Sequence, residues 1–168
     1  MGVVMTSVRT ILVPIDFSPG SVAAARHAHD LAAVFGSHMH LLHVAGPPDV
    51  PLCAVEPFFG ELRAFHEPVR RQALDRLATL MARERFDPFS TTGLVRTGLP
   101  EQVISEYADE IHADLIVMGT HGDHTQPVGE VVERVIGEVE CPVMTIPNKS
   151  STVAHLQLVR AEREYIAC

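Results

Sequence analysis

From Asp114 to Pro147 the chain reads DLIVMGTHGDHTQPVGEVVERVIGEVECPVMTIP. An unbroken apolar run ends at Gly119, a loop carrying Gly119, Gly122 and Gly129 follows, and valines then recur at helical spacing before a second short apolar run. A run apolar at every position is a strand covered on both faces. Where such a strand passes through a glycine-bearing loop into a helix, the helix start offers unpaired N–H groups and a partial positive charge, and glycine lets a ligand approach the backbone. This stretch therefore limits the chain to α/β architectures with a ligand loop at the end of a strand.

The rest of the chain repeats the strand-then-helix order. Thr10 to Ile15, TILVPI, is a β-branched run that stops at Asp16, and Ser18 with Pro19 supplies a hydroxyl cap and a proline at the first helical position. Val22, Ala25, Ala28, Ala32 and Phe35 follow at helical spacing until Gly36. His38 to Val44 reads as a second strand, and prolines 47, 48, 51 and 57 enforce a loop over 45–57. A long helical pattern then runs to Phe86 with Leu62, Phe65, Val69, Ala73, Leu77, Leu80 and Met81 on one side, and Pro68 either kinks it or begins it. Ser90 to Thr97 is a less apolar third strand, suited to a sheet edge. Gly98 and Pro100 open a helix with the stripe Val103, Ile104, Tyr107, Ala108 and Ile111. Leu115 to Met118 is the fourth strand, Val128, Val131, Val132, Val135, Ile136 and Val139 mark the last helix, and Val143 to Ile146 is the fifth strand. This alternation implies right-handed crossovers and a parallel sheet with helices on both faces. Residues 1–147 form one domain and 148–168 a weakly patterned C-terminal extension.

Several function classes are excluded. A net charge of −8 argues against nucleic acid as a partner. The single lysine, Lys149, lies beyond the last strand, so there is no phosphate-loop lysine. Cys53, Cys141 and Cys168 have neither disulfide-framework nor zinc-site spacing. No apolar run has the length of a membrane span and no signal core follows Met1, so the expected location is the cytoplasm, with no membrane partner.

Taken together, ILVPIDFSPGS near the N-terminus, GTHG, VERV and CPVMTIP resemble the universal stress protein family over roughly Val8 to Pro147. The resemblance implies a Rossmann-like nucleotide-binding fold, a five-stranded parallel sheet in the order 3-2-1-4-5. In that order the loops after strands one and four diverge at a switch point, where open α/β sheets bind ligands. It also implies an adenine nucleotide, AMP or ATP, as ligand, with magnesium only as the nucleotide's companion. Asp16 matches the aspartate that contacts the adenosine part, although it could equally cap the following helix. Pro14 and Val44 match positions bordering adenine, and Met118, Gly119, His121 and Gly122 match the adenosine and phosphate segment.

The phosphate loop departs from the family pattern, which has nine residues between the second and third glycines and then Ser or Thr. Here six residues separate Gly122 from Gly129, and Glu130 replaces the hydroxyl. A carboxylate suits an empty helix start but repels a triphosphate, so AMP or adenosine should bind better than ATP. His121, Asp123 and His124 have ligand-like spacing but no further ligands complete a metal site, and none is expected. His38 and His40 share a strand face, where a solvated or hydrogen-bonded strand end is expected rather than a ligand set. No GxSxG, HExxH or basic clamp is present, so no catalytic residue is assigned. The expected function is a ligand-binding or signalling module of the stress response. The alternative is a nucleotide-free scaffold working through a protein partner, and a slow nucleotide hydrolase ranks last. The apolar edge strand Val143–Ile146 is expected to form a homodimer, as family members commonly do.

Overall fold

The computed structural model describes residues 7–46, 59–120, 129–147 and 158–159, with the side chains of 59–66 and 158–159 left aside. Expectations that fall on His121, Gly122, Asp123, His124 and Val128 lie outside the described residues. In chain order the elements are β1 (Thr10–Pro14), α1 (Pro19–Phe35), β2 (His38–Ala45), α2 (Phe59–Glu84), β3 (Thr91–Thr97), α3 (Pro100–Glu110), β4 (Leu115–Gly119), α4 (Glu130–Glu138), β5 (Val143–Ile146) and β6 (Leu158–Val159).

The first five strands are parallel, as the strand-and-helix alternation requires, and run in the order β3-β2-β1-β4-β5 that the family resemblance implied. The register aligns Ile11 with both Met39 and Leu115, and Ile116 with Val143. β6 adds to the outer edge of β5 in the antiparallel sense, pairing Val143 with Val159 and Met144 with Leu158. This corrects the expectation that the fifth strand ends the sheet, since a short piece of the extension continues it. A two-residue strand carries no periodicity from which it could be read.

The two-residue period of the strands divides the core into two layers. Ile11, Val13, Met39, Leu41, Leu115 and Val117 face α1 and α2 together with Ala25, Ala28, Leu77 and Leu80. Leu12, Leu42, Ile116 and Met118 face α3 and α4 together with Ile104, Tyr107, Val132 and Val135. Strands sandwiched in this way need apolar residues at both phases, which is why they read as continuous runs rather than alternations.

Helix boundaries follow local chemistry. Ser18 caps α1 by accepting from the Ser21 amide, Pro19 opens it, and Gly36, at φ 67°, closes it. Pro68 lies inside α2 rather than at its start. Of the expected stripe of α2, Ala73, Leu77 and Leu80 are buried and Val69 is 51% exposed, while the side chains of Leu62 and Phe65 lie outside those described.

Candidate functional site

β1 and β4 are neighbours, and their C-terminal ends open onto a cavity of about 320 Å³. Six elements contribute to it. Pro14 and Ile15 come from the end of β1, Ser18 and Ser21 from the start of α1, and Leu42 and Val44 from β2. Pro100 and Ile104 of α3 form a wall, and Met118, Gly119 and Thr120 leave β4 toward Gly129 to Val132 at the start of α4. Seven of the nine residues singled out in the sequence, Pro14, Asp16, Val44, Met118, Gly119, Gly129 and Glu130, line this one cavity. His121 and Gly122 lie outside the described residues.

Asp16 stands at the polar end. The Ser18 amide donates to its Oδ1 at 2.9 Å, closing a turn across Phe17. Burial of the carboxyl pushes its pKa up, but hydrogen bonds from the Ser18 and Ser21 side chains and the Ser18 backbone outweigh this and hold it below 3.8. Asp16 is therefore ionised at neutral pH and presents an acceptor to the cavity. Capping belongs to Ser18, whose side chain accepts from the Ser21 amide, so the carboxylate buttresses the cap rather than replacing it.

Gly119 serves packing directly. A methyl group there would lie 2.7 Å from the carbonyl carbon of Gly20 and 3.0 Å from the Ser21 amide nitrogen. The first turn of α1 thus lies against the backbone of β4, bringing Ser18 and Ser21 to the cavity. Thr120 is buried, and its amide donates to the Ile146 carbonyl. The Gly129 amide donates back to the Thr120 carbonyl at 2.9 Å, which sets the start of α4 beside the end of β4.

At the other end, α4 begins with Gly129 as a cap that has no side chain to offer, and among the described residues no side chain caps its first turn. Glu130 occupies the first helical position, but its side chain is 77% exposed and ion-paired with Arg134 one turn on. Arg134 also donates to Glu101 at 2.6 Å, tying the first turn of α3 to α4. The repulsion expected from Glu130 is correspondingly reduced, because one cation is shared between the two carboxylates. Sequence spacing carried the Glu130–Arg134 pair as an i,i+4 relation, whereas the Glu101 contact spans 33 residues and is tertiary.

Ser18, Ser21, Leu42, Pro100, Ile104, Thr120, Val131 and Val132 also line the cavity although the sequence did not single them out as site residues. Only Ser18 and Pro100 had a signal, as residues that start helices. The others look like plain core or helix positions until the sheet order brings them together. Among the described residues no group of three or more His, Cys, Asp or Glu could hold a metal ion, and no helix is long and apolar enough to cross a membrane.

Residues 7–147 match the family model described as the universal stress protein family. The chain belongs to that family. Universal stress protein G of Escherichia coli O157:H7 is 30% identical over 142 residues, which cover 82% of this chain and 98% of the relative. Among solved structures, protein MJ0577 of Methanocaldococcus jannaschii is similar with a TM-score of 0.73 at 22% identity, over 86% of this chain and 99% of that one. A universal stress protein in complex with cAMP has a TM-score of 0.57 at 22% identity, over 86% and 100% of the two chains. The Archaeoglobus fulgidus universal stress protein in complex with dAMP has 0.58 at 20%, over 83% and 98%. At these identities the structures establish the shared Rossmann-like α/β fold, and this universal stress protein places its cavity at the switch point of that fold.

Proposed function

We propose that this universal stress protein is a binding or signalling module of the stress response that takes an adenine nucleotide in the switch-point cavity, with AMP or adenosine held better than ATP. The cavity carries the reading. At about 320 Å³ it has the size of a small-molecule ligand pocket. Pro14, Leu42, Val44 and Met118 supply an apolar wall for a purine, and ionised Asp16 accepts from ribose hydroxyls. The amides at the start of α4 attract a phosphate, while Glu130 and the shortened loop oppose a chain of them. That two structural neighbours were solved with cAMP and dAMP, each a single-phosphate ligand, supports the same direction. Magnesium enters only with the nucleotide.

A bare like charge at about 4 Å costs about 4 kcal/mol at an effective dielectric of 20. Pairing with Arg134 and exposure to solvent reduce this, yet a quarter of it still changes affinity several-fold. Calorimetric titration with adenosine, AMP and ATP, with and without magnesium, is the test. AMP or adenosine should bind tighter than ATP, and magnesium should narrow the gap. Glu130→Ser should recover part of the ATP affinity, and Arg134→Ala should widen the gap by leaving Glu101 and Glu130 uncompensated. Asp16→Ala should abolish binding of all three. ATP binding tighter than AMP refutes the preference. Binding of none of them would favour the second reading, a nucleotide-free dimeric scaffold, for which Glu130 in place of a hydroxyl is the supporting observation.

A further inference from the structure

Phe17 sits between the two cavity residues Asp16 and Ser18 with φ 65°, in the left-handed region that a residue with a Cβ rarely adopts. The turn that the Ser18 amide closes on Asp16 Oδ1 passes through this residue, so the placing of both polar groups depends on Phe17 keeping that conformation. An unfavourable backbone state persists only when its surroundings over-determine it. Two partners do so here. The His43 ring of β2 lies 4.6 Å from the Phe17 ring and is itself anchored, donating from Nδ1 to the Ile15 carbonyl at 2.7 Å. The Arg76 guanidinium of α2 lies 4.1 Å from the centroid of the Phe17 ring. Arg76 makes no side-chain ion pair among the described residues, and it lines a second hollow, with Phe17 and Val22, outside the ligand cavity.

We propose that Arg76 is a positioning residue for the ligand cavity, acting through Phe17 to hold the Asp16–Ser18 turn in its ligand-ready form. An exposed arginine on α2 thereby gains control over a site that it does not touch, and α2 becomes the element through which a change elsewhere on the protein could alter binding. The proposal rests on the nucleotide reading for its consequence, but not for its geometry.

The test therefore has two arms. In the ligand-free protein, the Ser18 amide resonance and its hydrogen exchange report the turn itself. Arg76→Ala should shift that resonance and speed its exchange, while Arg76→Lys, which keeps a cation over the ring, should restore both. Adenosine, which is uncharged and so indifferent to the lost charge, probes the consequence: Arg76→Ala should weaken it about two- to fivefold, the ratio expected for an exposed cation–π contact, with Arg76→Lys recovering most of it. The urea midpoint should hardly move, because Arg76 is exposed. An unmoved Ser18 amide in Arg76→Ala overturns the proposal, as does weaker adenosine binding without any change at Ser18. An Arg76→Lys variant that behaves like Arg76→Ala also overturns it. Should the wild type bind no adenosine, the nucleotide reading fails alone and the Ser18 amide still decides the positioning.

Discussion

A methyl group on Gly119 would lie 2.7 Å from the backbone of Gly20, and neither segment has a flexible side chain that could give way. Gly119→Ala should therefore push α1 from β4, costing about 1–3 kcal/mol by urea denaturation, the usual penalty of overpacking. Because Ser18 and Ser21 travel with α1, the same variant should lose ligand affinity. A neutral result would mean that α1 adapts without strain. His40 gives a prediction of a different kind. Its Nδ1 shares a 3.0 Å hydrogen bond with the Tyr107 hydroxyl, and His38, on the same strand face, has its ring 4.9 Å away. Burial first, and repulsion from His38 second, hold its pKa below the ordinary 6.5. The charged groups beyond Tyr107 are Arg96, over its ring at 4.4 Å, and Glu110, paired with Arg96. A depressed histidine pKa means that the unfolded chain takes the proton first, so the stabilising difference is full above 6.5 and is lost as pH falls from 6.5 through the folded value. Urea midpoints should thus decline on acidification below about pH 6.5, and His40→Gln should flatten that part of the profile. An unchanged slope in the variant would place the acid sensitivity elsewhere.

The helices differ in how they are held. α2 contributes Ala73, Leu77 and Leu80 to the core, while Val69, four residues before Ala73 and on the same side by spacing, is 51% exposed. Leu77 and Val69 should therefore differ in sensitivity. Leu77→Ala, at 1% exposure, should cost about 2–5 kcal/mol, and Val69→Ala should stay within about 0.5. Equal losses in denaturation would show that Val69 is packed as Leu77 is. α3 and α4 are instead joined through charge as well as packing. The Glu101 backbone and Arg134 hold the Glu101 carboxyl below its ordinary range, and the Arg134 pKa is raised, first by Glu101. Since both elements wall the cavity, this pair connects its α4 end to helix placement.

At the scale of the whole molecule, the outer edge of β5 is where the sheet could grow. We propose a homodimer through Val143–Ile146 in which a second copy pairs along β5. β6 occupies this edge, but over two residue pairs only. An edge strand of four residues offers a second copy more pairing than that, so the extension and a partner compete. Ending the chain after Pro147 should raise the dimer fraction in sedimentation and cost less than the several kcal/mol expected of a core element, while Met144→Lys should favour monomer. A truncated chain that stays monomeric at micromolar concentration would rule out this edge.

The sequence by itself determined the order and kind of the elements up to β5, because helix and strand periods, proline and glycine stops and the Ser18-Pro19 cap act within a few residues. It also pointed to seven cavity residues, Asp16 and Gly119 by their places at strand ends, where an open parallel sheet binds ligands, and the others only through the family resemblance. Tertiary structure alone decided which further residues join them. Ile104 reads as helix core until the sheet order sets α3 beside β2, and Arg76 reads as solvated until packing sets it over Phe17. Even the entry of β1 is secured at long range, with the Arg9 and Thr10 amides donating to the Asp114 carboxylate. Residues so far apart in the chain leave no local pattern. Their meeting depends on strand register and side-chain rotamers, which exist only once the whole sheet has formed.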